Sequence, residues 1–92
     1  MNATEFRNDD RAYLAWLATH PQGFVLNRQK GKTDRVLVLH RARCRQMRLA
    51  RDSDYAYTGR HYIKVCADQI EPLDEHARQQ GGLMRRCRVC NP

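Results

Sequence analysis

The sequence predicts a small α+β fold: an N-terminal helix, a short antiparallel sheet, and a C-terminal helix followed by a CxxC knuckle. Three observations predict it. Two segments with helical spacing, about Asp9 to Thr19 and the stretch between Asp68 and Gly81, bracket runs of strand-forming residues. Glycines, prolines and short polar side chains punctuate the boundaries between them. Cys87-x-x-Cys90 then follows the second helix directly.

The first helix is expected to start at Asn8 as N-cap, with Asp9 and Asp10 at the positive end of its dipole. Tyr13, Leu14, Trp16 and Leu17 fall mostly on one face, and Phe6 can staple the entry. Trp16 belongs to that apolar face and reads as a core residue. His20-Pro21-Gln22-Gly23 ends the helix, because proline disfavours helix in the residue before it.

Two strand-like runs follow, Phe24 to Asn27 and Arg35 to His40, joined by the polar turn Lys30-Gly31-Lys32-Thr33-Asp34. They read as a hairpin with a longer loop. Val36-Leu37-Val38-Leu39 is continuously apolar, which suits a strand covered on both faces. Residues 45–60 carry little periodicity. His61 to Ala67 reads as a further strand, supplied with bulk by Tyr62, Ile63, Val65 and Cys66. Asp68 and Glu71 form a capping-box pattern for the last helix, Ile70, Leu73 and Ala77 its buried stripe, and Gly81-Gly82 its stop.

Chain length and thiol usage bring in the chemistry. A chain of 92 residues buries a modest core, which a cross-link or a metal would reinforce. Met1 to Asp10 is polar and lacks the apolar run of a signal peptide, and no stretch approaches the ~20 apolar residues of a membrane span. The expectation is a cytoplasmic protein with no membrane partner. Thiols stay reduced there, so four cysteines point to metal before disulfides.

Cys87-x-x-Cys90 can turn both sulfurs toward one ion while backbone N–H groups of the turn bond to the thiolates. A redox CxxC wants the start of a helix, whereas this pair lies after one. His40-x-x-x-Cys44, just past a strand, supplies the other half, giving a Cys3His set that suits zinc. The whole of residues 1–92 is thus expected to be one zinc-binding domain, with zinc at His40, Cys44, Cys87 and Cys90. Cys66 is the rival ligand, in an all-cysteine set with Cys44, Cys87 and Cys90, although a late-strand cysteine is more often core. His76 reads as a surface residue, His61 has no partner at ligand spacing, and His20 belongs to a loop.

Charge is unevenly spread: nine basic residues lie between Arg28 and Arg51 against Asp34 alone, and three arginines follow Gly82. A basic patch of this kind favours a polyanion, and nucleic acid above others, DNA before RNA. The contact residues expected are Arg28, Lys30, Lys32, Arg41, Arg43, Arg45, Arg48 and Arg85. Tyr55, Tyr57 and Tyr62 can stack on single-stranded bases, though a place in the core or a hairpin explains them better. A solvated basic face, or one that offsets the charge of the thiolates, accounts for the same arginines.

His40-Arg41-Ala42-Arg43-Cys44, a capped helix, Gly81-Gly82 and Arg86-Cys87-Arg88-Val89-Cys90-Asn91-Pro92 together resemble the metal-binding domain of Ada-type DNA repair proteins. The resemblance runs from Val36 to Pro92. It is strongest to the shorter Ada-like zinc modules that other bacterial proteins carry, often beside nucleases. It implies a small α+β zinc fold that can lie against DNA. The repair proteins place a methyl-accepting cysteine at the first ligand position; His40 stands there in this chain, as in modules with a structural site. The expected function is a non-catalytic zinc module that binds nucleic acid through a basic face. The alternative is a structural or protein-interaction module acting beside a separately encoded enzyme.

Overall fold

The structure, a computed structural model, describes residues 3–29, 36–47, 58–59 and 62–92. Its elements are β1 (Thr4–Phe6), α1 (Asp10–Thr19), β2 (Phe24–Gln29), β3 (Val36–Arg41), a 3-10 turn (Arg45–Met47), β4 (Tyr62–Ala67), α2 (Ile70–Gln79) and β5 (Leu83–Arg86). The α+β class expected from the sequence is the one observed. The sheet, however, is mixed and five-stranded, in the order β1-β4-β2-β3-β5. β2 pairs antiparallel with β3, as the hairpin pattern predicts, and with β4 on its other side. β5 joins β3 in parallel, which adds one parallel pair to the short antiparallel sheet expected. The turn at Lys30 to Asp34, with Tyr55, Tyr57 and His61, lies outside the described residues.

Side chains along a strand alternate between faces, and each face meets its own cover. Leu26, Leu37, Leu39, Ile63, Val65 and Ala67 pack with Leu73 and Ala77 of α2. Val25 and Cys66 project the other way, into a core with Tyr13 and Leu17 of α1, Ala42, Cys44, Met47 and Cys87. The unbroken apolar run of β3 is explained by this arrangement: Leu37 and Leu39 serve one core, while Val38 packs against the other.

The two helix starts each differ from expectation by one residue. Asp9, not Asn8, caps α1, its Oδ1 accepting from the Ala12 N–H at 3.1 Å. Asn8 instead adopts φ 52° and donates its N–H to the Thr58 carbonyl at 2.7 Å. Asp10 then receives both the Thr58 N–H at 2.8 Å and its hydroxyl at 2.7 Å, so buried Thr58 fixes where the helix begins. At α2 the cap is Gln69, with no side-chain cap bond, in place of the expected Asp68. In that frame the third helical position is Pro72, which has no N–H to offer a cap. The C-terminus follows the sequence: Gly81 takes φ 69°, its N–H bonds to Arg78 and that of Gly82 to Ala77. Those two bonds are a Schellman closure.

Gly23 is buried beneath Trp16. A Cβ there would lie 2.6 Å from the far edge of the indole and 3.1 Å from the Ala67 carbonyl oxygen. The ring has little room to yield, because it is stacked on His20 with centroids 4.3 Å apart. Among the described residues no helix is long and apolar enough to cross a membrane.

Candidate metal centre

The end of β3 and the segment after β5 are brought together by the parallel pairing. Leu39 stands opposite Arg86, and the Cys87 N–H extends that ladder to the Leu39 carbonyl at 2.8 Å. The chain then turns: Asn91 N–H reaches the Cys87 carbonyl at 3.0 Å, and Asn91 itself takes φ 49°. On the other side, Cys44 N–H bonds to the Arg41 carbonyl at 2.9 Å as the chain leaves β3. Tyr13 Oη donates to the Met47 carbonyl at 3.0 Å, which pins the 3-10 turn under α1.

The outcome is one group of donors. Ligand atoms of His40, Cys44, Cys87 and Cys90 all lie within 4.8 Å of one another, and the group could hold a metal ion. A tetrahedral zinc site with bonds of about 2.0–2.3 Å has ligand–ligand edges of about 3.3–3.8 Å, so a small contraction suffices. His40, Cys44 and Cys87 are buried, and Cys90 is half-buried. None of the four cysteines forms a disulfide.

Hydrogen bonding around the sulfurs fits thiolates. Arg41 N–H points at Cys90 Sγ at 3.2 Å, and Val89 N–H at Cys87 Sγ at 3.3 Å. Cys87 Sγ also lies 3.7 Å from Gln46 Oε1, an acceptor to which it donates only as the protonated thiol. His40 Nδ1 is buried with no hydrogen-bond partner among the described residues, an orphan of the kind a cation would satisfy.

Electrostatics agree. Burial, with Lys64 adding to it, lowers the His40 pKa to about 4, so the imidazole is neutral and free to ligate at ordinary pH. Burial disfavours the Cys87 thiolate, yet bonds from the Cys90 and Val89 backbone and from the Cys90 and Cys44 thiols outweigh it and lower its pKa. Cys90 moves the other way, to about 11, through burial and its crowding by Cys44 and Cys87, although the Arg41 N–H works against the rise. Three sulfurs this close cannot all ionise without a cation to balance them.

Compared with models of protein families, with curated proteins and with solved structures, the chain matches none. The site therefore stands on its own chemistry.

Cys66 is placed apart. It lies opposite Val25, which lies opposite His40, so two strand spacings of about 4.8 Å separate its backbone from that of the histidine. It is 1% exposed within the α1-side core, and burial raises its pKa, with Lys64 offsetting part of the rise. The all-cysteine set is not the one assembled. His76 corrects the surface expectation: it is half-buried, with Nε2 lacking a partner among the described residues. Burial lowers its pKa, with Glu5 opposing and Arg28 and Arg7 reinforcing. It sits beside Ala3, Pro72, Glu75 and Gln79, away from the donors.

The arginines named from sequence sort into two kinds. Arg28 is spent on Glu5, at 3.4 Å, with only 14% of its side chain exposed. Arg41 grips the knuckle, its Nε donating to the Cys90 carbonyl at 3.1 Å and its Nη2 to that of Asn91 at 3.3 Å. Arg86 likewise donates to the Pro92 carbonyl. Arg43, Arg45 and Arg85 are exposed, and none makes an ion pair among the described residues. Arg41, Arg43 and Arg45 line an open cleft of about 400 Å³ together with Val89, Cys44 and Cys90. Lys30, Lys32 and Arg48 lie outside the described residues. Sequence reading missed the clamping role of Arg41 and the contact from Gln46; adjacency to His40 and Cys44 was the available signal for both.

Proposed function

We propose that this chain is a non-catalytic zinc-binding module that contacts nucleic acid, DNA before RNA, through the basic rim of its metal centre. The observation that carries the metal reading is the convergence of one imidazole and three sulfurs within 4.8 Å. Soft thiolates with one imidazole favour zinc over harder cations. Four protein ligands leave no open position for a substrate water, which argues for a structural ion. Bound zinc replaces the protons of the thiols and ties β3 to the segment after β5, so its affinity adds to folding.

With three thiolates, the centre keeps one net negative charge. Arg41 offsets it from within the knuckle, leaving Arg43, Arg45 and Arg85 for phosphate. His40 at the first ligand position keeps the likeness to the structural Ada-like modules and removes the sulfur that a methyl-accepting site would need.

Metal analysis of purified protein tests the first half: one zinc per chain is expected, lost in Cys44→Ser. Electrophoretic mobility shift on generic duplex tests the second. Binding should weaken with salt, with a log–log slope of about −0.9 per phosphate neutralised, and Arg43→Ala with Arg45→Ala should flatten that slope. No shift at micromolar protein and low salt removes the nucleic-acid reading. Exposed Leu83 and Val89 favour a second reading, a protein-interaction module beside a separately encoded enzyme. A partner retained in a pull-down after nuclease treatment would select it.

A further inference from the structure

We propose that Cys90 is the oxidant-accessible sulfur of the metal centre, and that hydrogen peroxide converts Cys87 and Cys90 to a disulfide and expels the metal. This rests on the reading of His40, Cys44, Cys87 and Cys90 as ligands. The four ligand positions are unequal in access. Cys44 and Cys90 both line the open cleft, but His40, Cys44 and Cys87 are only 4%, 3% and 6% exposed, whereas Cys90 is half-buried. Arg41, Arg43 and Arg45 line that cleft. Their charge stabilises the hydroxide that leaves when peroxide is attacked.

The second sulfur is already in place. Cys87 is in the same turn, closed by the Asn91 N–H bond to the Cys87 carbonyl and by the Val89 N–H aimed at Cys87 Sγ. In the first step the Cys90 thiolate attacks one peroxide oxygen; the O–O bond breaks, giving a sulfenic acid and hydroxide. The Cys87 thiolate then attacks the sulfenic sulfur, forming the S–S bond and releasing a second hydroxide. Two thiolates are oxidised by two electrons, one peroxide is reduced, and two protons from solvent convert the hydroxides to water. The metal keeps only His40 and Cys44, too few to hold zinc. Cys66 is buried in a separate place and stays a thiol, which provides an internal control.

The test is a zinc-loaded protein treated with about ten equivalents of hydrogen peroxide. Released zinc is followed with a chromogenic chelator, and cysteines are mapped by alkylation and tryptic mass spectrometry. Because trypsin cuts after Arg86 and Arg88, a Cys87–Cys90 disulfide appears as Cys87-Arg88 linked to the Val89–Pro92 peptide. We expect that linked species to appear in step with zinc release, with Cys44 and Cys66 recovered as alkylated thiols. Cys90→Ser should slow release roughly tenfold, and Cys66→Ser should leave it unchanged. Mapping the unmutated protein decides the matter even if Cys90→Ser fails to fold. Zinc release with Cys44 or Cys66 oxidised first, or a loaded protein that keeps its zinc, overturns this inference alone. A chain that takes up no zinc overturns the metal reading with it.

Discussion

The two faces of the sheet are finished in different materials. Toward α2 the cover is hydrocarbon: Leu26, Leu37, Leu39, Ile63, Val65, Leu73 and two alanines, with Phe24, Ile70 and Met84 at the margin. Toward α1 the buried set includes Cys44, Cys66 and Cys87, with Cys90 packed beside them. The first face is stabilised by apolar area and needs nothing else. The second substitutes small polarizable side chains for branched ones, and three of its sulfurs are ligand candidates. On the proposed metal reading, stability on that side depends on what those three sulfurs bind.

Removing the metal should break the comparison most strongly. Chelation, or Cys87→Ser, is expected to abolish zinc uptake and to unfold the α1 side or the whole domain, since structural zinc in small domains supplies on the order of ten kcal/mol. Circular dichroism with metal analysis reads this. Hydrogen exchange should show α1 and the turn at Arg45–Met47 losing protection before α2. Equal loss on both faces would show that they are one cooperative unit.

Leu39→Ala and Leu73→Ala attack the hydrocarbon face and should cost about 2–5 kcal/mol each in denaturant unfolding, while leaving zinc stoichiometry intact. If either variant loses zinc along with stability, the two faces are coupled through β3. Gly23→Ala is a smaller probe on the α1 side: the added methyl meets the stacked Trp16 and should destabilise by about 1–3 kcal/mol, with no change in zinc content.

The smallest effect concerns pH on the α2 side. Burial lowers the His76 pKa in the folded protein, so the unfolded chain takes up its proton first as pH falls. The contribution is fully present above the ordinary histidine value of about 6.5 and is lost below it. Unfolding of zinc-loaded protein followed between pH 7.5 and about 5.5 should show less pH dependence in His76→Gln. An unchanged profile would place the acid sensitivity in the metal centre, His40 included.

Much of this was readable in the chain because the determinants are local. His40-x-x-x-Cys44 and Cys87-x-x-Cys90 have ligand spacing whatever surrounds them, and the structure places all four in one group. The apolar run of β3 and the Gly81-Gly82 stop carry their own signals. What escaped depends on distant partners. Thr58 shifts the start of α1, and nothing near Asn8 announces that. β1 and β5 are three- and four-residue edge strands whose side chains are mostly exposed, so they lack the alternation by which a strand is recognised. Arg28 and Arg41 read as phosphate contacts by charge, while their engagement with Glu5 and the knuckle carbonyls is a product of the fold.

The stack of Trp16 on His20 has a practical consequence. This is the chain's one tryptophan, and it packs against the sulfur-bearing core. Imidazole contact dims indole emission, so loosening of that half should brighten and red-shift a single fluorophore, while events under α2 stay dark. The molecule carries its own optical gauge for whichever half yields first.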